Sequence, residues 1–165
     1  MQPSFTIGDK SVYPAHGVAD VIGLENKTIG SDEIPFYHLR VVSSGLKIIV
    51  PVHKAEENGM RSVATSEEID EMFELLRDHE IPNDRQTWNR RYRGFMEKIR
   101  TGSLFEVAEV YRDLSLLKSR KTLSHGERQM LRTARELLVR ELVEARRAPE
   151  DEIVHALEAP FQTQH

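Results

Sequence analysis

The sequence predicts an α+β protein in which a small, strongly bent β barrel precedes a compact all-α domain. Three observations carry this. Six of the nine glycines fall before residue 60, between short runs rich in β-branched and aromatic residues. From Thr65 onward, apolar residues recur at helical spacing instead. Two segments, Thr65 to Glu68 and Ser124 to Glu127, have the capping-box pattern that opens a helix.

The β half contains four candidate strands, Ser11–Tyr13, Val18–Leu24, Phe36–Val42 and Leu46–Val52. Several short strands within about 55 residues suit a small barrel. The last run, Leu46-Lys47-Ile48-Ile49-Val50-Pro51-Val52, meets a proline. Proline lacks the N–H that a ladder needs, so this strand lies at an edge or ends there. Alternate residues face opposite sides, so Ile48, Ile49 and Val50 cannot all enter one small core. Either they fill the barrel as far as geometry allows, or a partner strand covers an apolar edge.

In the helical half, Ile69, Met72, Phe73 and Leu76 form the stripe of a first helix. Pro82 breaks it within His79–Asp84, because proline disfavours helical geometry in the residue before it. A second helix is expected from Gln86 to Arg100, closing near Gly102, and a third from Leu104 to Leu117. Ser124 caps a fourth, with Met130, Leu131, Ala134, Leu137, Leu138 and Leu142 on its stripe. Pro149, followed by Glu150, Asp151 and Glu152, reads as a short last helix, with a frayed end from Pro160.

Composition limits the function. The chain has 165 residues, 39% hydrophobic and 30% charged, enough for one domain or two small ones. Its absence of cysteine excludes a disulfide scaffold and thiolate chemistry. The opening MQPSFTIGDK is not a secretory signal, and no stretch reaches the roughly 20 apolar residues of a membrane helix. A cytoplasmic location is therefore expected. The seven histidines are scattered, with no pair at metal-binding helical spacing. There is no phosphate loop and no nucleophile elbow. Adjacent acids such as Glu67 and Glu68 read as helix-start residues rather than an acid/base pair. The expectation is a non-enzyme without metal or cofactor.

The net charge of −4 hides two basic blocks. Residues 84–100 carry six Lys or Arg against two acids, and residues 118–147 carry nine against four. Such blocks are either solvated helix faces or the footprint of a polyanion. Residues 84–96 add a second signal, since the single tryptophan, Trp88, sits among Arg85, Arg90, Arg91 and Arg93. Trp88, Tyr92, Phe95, Met96 and Ile99 share a helical face. For Tyr92 and Ile99 the core reading is preferred. Trp88 stands at the helix start, where burial is less assured. Arginines around an exposed aromatic suit nucleic acid: guanidinium groups hold phosphates while the ring stacks or wedges at a broken base step.

These residues bring a resemblance into view. Phe5–Asp9 (FTIGD), Val12–Gly17 (VYPAHG), Tyr37–Leu39, Val50-Pro51-Val52 and Gly59-Met60-Arg61 resemble the CarD/CdnL family of bacterial RNA polymerase-binding proteins. So do Trp88-Asn89-Arg90-Arg91-Tyr92, Glu97-Lys98, Val107–Val110 with Arg112–Leu114, and Leu123-Ser124 with Glu127. The likeness spans about residues 5 to 145; residues 148–165 lie outside it and receive no role. It implies a Tudor-like polymerase-interacting domain over residues 1–64 and a helical DNA-contacting domain over residues 65–165. The implied partners are the N-terminal lobe of the RNA polymerase β subunit and promoter DNA at the upstream edge of the −10 element, with the protein acting as a monomer near the nucleoid. Carried over by position, Trp88 is the wedge that hinders reannealing. Arg90, Arg91, Arg93 and Arg128 are its basic supports, and Phe95 and Met96 extend the apolar patch. The polymerase-facing edge comprises Lys27, Ile48, Ile49, Val50 and Pro51. Ile49 stands where some relatives carry a basic residue, which makes this contact more apolar. The alternative is a polymerase-docked adaptor whose helical domain grips a second protein instead of DNA.

Overall fold

The computed structural model describes residues 4–79 and 88–162, with the side chains of Trp88 and Asn89 excepted. Contacts divide the chain into two units, residues 1–63 and 64–165.

The first unit holds five strands: β1 (Lys10–Tyr13), β2 (Gly17–Ile29), β3 (Asp32–Val41), β4 (Lys47–Pro51) and β5 (Arg61–Ser62). A single turn of helix, α1 (Val52–Ala55), lies between β4 and β5. The strands form one antiparallel sheet in the order β4-β3-β2-β1-β5. The proline of β4 thus lies on an edge strand, as its missing N–H requires.

Two expectations need correction here. The strands are not all short, since β2 and β3 run 13 and 10 residues. Their hairpin closes through Gly30 and Ser31, with Gly30 at φ 65 in the left-handed region that a two-residue turn demands. Gly23 lies inside β2 rather than ending it, because the register slips between Val21 and Gly23. Ile22 is the extra residue of a β-bulge, and such a bulge bends its strand. In addition, Val52 leaves the fourth strand and opens α1.

The bulge reverses which residues of β2 point inward. Ala19 and Val21 are buried before it, whereas after it Leu24 pairs with the buried Tyr37. Phe5, Val21, Tyr37, Leu39, Val50 and Met60 belong to the core of this unit. Phe5 meets Tyr37 edge-on at 5.8 Å. The Tyr37 hydroxyl accepts hydrogen bonds from the backbone N–H groups of Ser4 and Phe5 at 2.9 and 3.2 Å. A phenol inside an apolar core needs such a partner.

The second unit is helical: α2 (Ser66–Arg77), α3 (Trp88–Thr101), α4 (Leu104–Lys118), α5 (His125–Arg146) and α6 (Glu150–Glu158). Both capping boxes form as their sequences require. The Thr65 hydroxyl accepts from Glu68 N–H, and Glu68 returns the bond to Thr65 N–H; Ser124 and Glu127 do the same. Each cap is worth about 1 kcal/mol. At the other end of α3, Gly102 adopts φ 73 and its N–H reaches Ile99 O. The expected break at His79–Asp84 lies, beyond His79, outside the described residues, as does the expected helix start at Gln86.

Met72, Leu76, Ile99, Val110, Leu114, Leu138, Leu142 and Leu157 build the helical core. Burying each such side chain contributes about 1.5–3 kcal/mol. The chain from Ala159 to Phe161 is not frayed, contrary to expectation. It forms a 3-10 turn whose Phe161 ring stacks on His79 at 5.4 Å and meets Tyr111 edge-on at 5.6 Å. Aromatic packing onto the core outweighs the weak local propensity of a Pro-containing end.

Candidate nucleic-acid interface

Helix α3 carries the tryptophan and three of its four neighbouring arginines. Residues 88, 92, 95 and 99 recur on one side of the helix. Burial rises along this stripe: Tyr92 is 40% exposed, Phe95 7% and Ile99 4%. The stripe is therefore core at its C-terminal end and open to solvent at Tyr92, with Trp88 one turn further on. Arg90 and Arg93 lie on the opposite face and are exposed, while Arg91 is half-buried. A Lys98–Glu109 ion pair at 2.6 Å joins α3 to α4.

Two assignments change. Phe95 cannot extend a DNA-facing patch, because its ring belongs to the helical core. Tyr92, expected in the core, stands half-exposed because the helix outruns the core beneath it. Met96 is partly buried and packs against the core, so only part of it reaches solvent. Arg128 lies on the first turn of α5 rather than on α3. It is exposed, and its guanidinium donates to Leu123 O at 3.0 Å.

On the sheet, β4 alternates as a strand must. Val50 is 2% exposed and in the core, and Ile48 is half-buried against it. The Val50 side chain is therefore closed to a partner, whereas Ile48 offers only part of its surface. Ile49 points the other way and is 46% exposed. Opposite it in the register stands His38, whose ring nitrogen lies 2.7 Å from the Glu25 carboxylate. Pro51 pairs with Phe36, and the Lys27 ammonium sits 5.6 Å from the Phe36 ring centre. The structure thus gathers Lys27, Ile49 and Pro51 around two residues the sequence reading passed over, Phe36 and His38. The alternation of Phe36, His38 and Arg40 against Tyr37, Leu39 and Val41 was the available signal.

Ionisable groups within the helical unit are held in place by their surroundings. Burial pushes the Tyr111 hydroxyl up to about 12, with the nearby Glu158 charge adding to the effect. Desolvation raises the Asp113 carboxyl as well, against the opposing pull of Arg112. Desolvation also acts on Glu127, but the Ser124 N–H, the Lys121 ammonium and the Ser124 hydroxyl outweigh it and hold the carboxyl below its usual range. All three are structural positions. Among the described residues, no group of histidines and acids is arranged to hold a metal ion, and no helix is long and apolar enough to cross a membrane.

Comparison with known proteins gives this architecture a class. Residues 5–64 match the CarD-like/TRCF RID domain family, and residues 71–158 match the CarD C-terminal domain family. The second match includes α6, so the family likeness extends past residue 148, further than the sequence motifs reached. The chain is 33% identical over 139 residues to the putative transcription factor YdeB of Bacillus subtilis (strain 168), covering 84% of this chain and 90% of that protein. It also aligns with the solved structure of CdnLNt from Myxococcus xanthus at 38% identity, over 40% of this chain and 93% of that one, with a TM-score of 0.33. The two family matches and the likeness to YdeB place the chain among CarD-like transcription factors. The chain belongs to the CarD family.

Proposed function

We propose that the protein binds the N-terminal lobe of the RNA polymerase β subunit through β4 and its neighbours, and steadies the promoter open complex through α3. In this reading, residues 1–64 dock on the polymerase and residues 65–165 carry the DNA contacts. The aromatic stripe of α3, buried at Ile99 and exposed at Tyr92, is the observation that carries it. An aromatic residue emerging from a rigid helix, with Arg90 and Arg93 exposed nearby, suits a wedge held by phosphate contacts. Trp88 is the wedge; Arg90, Arg91, Arg93 and Arg128 hold phosphates, and Tyr92 joins the aromatic part that Phe95 leaves. On the sheet, Lys27, Ile49 and Pro51 supply side chains and β4 supplies its edge.

A few exposed arginines bind duplex weakly and with little sequence preference. Docking on polymerase raises their effective concentration at the promoter by orders of magnitude. Stabilising the open state by about 1.4 kcal/mol then shifts the equilibrium roughly tenfold. The test is the lifetime of open complexes formed by housekeeping holoenzyme on a promoter that melts unstably. It compares no factor, the protein and Trp88→Ala, after circular dichroism shows the variant folded. The expected result is a longer lifetime that the variant loses. An unchanged lifetime despite polymerase binding would overturn the wedge and favour the adaptor role.

A further inference from the structure

We propose that the cleft between α4, α5 and the 3-10 turn is a binding site for a nucleoside polyphosphate. The cleft has a volume of about 540 Å³, within the range of small-ligand pockets. Its charged lining is four cations, Lys118, Arg128, Arg132 and Arg135, against one carboxylate, Glu158. The three arginines lie at i, i+4 and i+7 on α5, so they project from one side of that helix, and Lys118 comes from α4. Glu158 pairs with one of the four, Arg135; the remaining like charges repel one another, and an anion between them reduces that cost.

Arg135 makes the argument specific. Its Nε is shielded from solvent and has no hydrogen-bond acceptor among the described residues. Glu158 forms an ion pair with a terminal nitrogen at 3.6 Å, too long for a hydrogen bond, and leaves Nε without an acceptor. Buried donors are rarely left in this state. A phosphate that accepts from Nε and a terminal nitrogen together would satisfy the guanidinium in its preferred forked geometry.

The remaining lining decides between kinds of anion. The hydroxyl of Ser115 adds a polar group, while Leu123, Leu131 and Phe161 supply an apolar surface. Bare phosphate makes no use of that surface, and a duplex backbone cannot lower a base into a recess. A small molecule carrying both a flat ring and several phosphates uses all of it.

The experiment titrates the full chain with fluorescently labelled ATP at physiological salt. Unlabelled ATP, AMP, pyrophosphate and a short DNA duplex serve as competitors. Saturable binding is expected, with ATP displacing the label better than AMP or pyrophosphate. Arg132→Ala and Arg135→Gln should each weaken it by about tenfold or more with the helical circular dichroism unchanged. Arg100→Ala, on an exposed part of α3, should not weaken it. Absence of saturable binding, or binding indifferent to both α5 substitutions, would overturn the proposal. Equal competition by pyrophosphate would remove the nucleoside from it. Competition by the duplex at equal phosphate concentration would show that the cleft follows nucleic acid instead.

Discussion

The Glu141 carboxylate, buried in the C-terminal half of α5, accepts a hydrogen bond from the backbone N–H of Ala64 at 2.9 Å, across 77 positions of sequence. Ala64 is the first residue of the helical unit, directly before the Thr65 cap. One acidic side chain therefore fixes the start of α2 against the longest helix.

Removing that acceptor strands a buried N–H. Glu141→Ala should destabilise the helical unit by about 1–3 kcal/mol in urea unfolding followed by circular dichroism. Glu141→Gln, which keeps a carbonyl oxygen, should lose less. Equal losses in the two variants would assign the effect to packing instead.

Phe95 and Tyr92 separate stability from binding. Phe95→Ala opens a cavity in the core and should cost about 3–5 kcal/mol, visible as a lowered midpoint of thermal unfolding. Tyr92→Ala, at a half-exposed site, should leave the midpoint nearly unchanged and shorten the open-complex lifetime.

Adjacent residues of β4 should behave in opposite ways. Ile49→Asp places a charge on the exposed side of the sheet, so the chain folds but binds the polymerase β lobe at least about tenfold more weakly. Val50→Asp buries an unpaired charge and should unfold the unit. Binding in a pull-down with the isolated lobe, beside a circular dichroism spectrum of each variant, distinguishes the two. Full binding by folded Ile49→Asp would move the docking surface off this edge.

Arg93→Ala should reduce the dependence of DNA affinity on salt. Each phosphate contact contributes about 0.9 to the slope of log affinity against log salt on duplex. The polymerase-bound protein, titrated with promoter DNA at several salt concentrations, should show a slope smaller by about that amount. An unchanged slope would place Arg93 away from phosphate.

Alkaline pH should loosen the helical unit through Tyr111. Its hydroxyl donates to Leu157 O at 3.0 Å and is held up to about 12, while an unfolded tyrosine ionises near 10. Between these values the unfolded chain has lost a proton that the folded chain keeps. Stability is therefore fully present below pH 10 and declines as pH rises toward 12. Absorbance at 295 nm at pH 11 should differ little between the protein and Tyr111→Phe, because Tyr111 contributes little phenolate there.

The sequence made the helices legible because their signals are local. The Thr65 and Ser124 caps, the stripes of α4 and α5 and the glycine after α3 each follow from residues within a few positions. What it concealed depends on distant partners. Nothing near Ile22 announces that β2 slips there by one residue, since the slip is defined only against Leu39 and His38 of β3. Tyr92 and Phe95 share a stripe, and only the extent of the core beneath α3 exposes one and buries the other. Arg128 was legible as a cation, but its companions Arg132 and Arg135 gain meaning only when α4 and Phe161 close the cleft around them. Ile49 and Val50 could have been told apart by alternation, had the inward parity of β4 been fixed against Tyr37.

The bulge at Ile22 also limits how this strand can change over generations. Because Ile22 is the extra residue of the bulge, deleting that one position would leave Gly23 opposite His38 and Leu24 opposite Tyr37 and would remove only the bend. Glu25 would stay opposite Phe36 and Lys27 opposite Ile34, on the sides they occupy now. The loss of a residue is therefore cheaper at position 22 than elsewhere along β2, where it would slip the pairing with β3 and turn the neighbouring residues over. Changes of length in descendants of this chain should therefore gather at Ile22 and at the Gly30–Ser31 turn, leaving the rest of β2 constant.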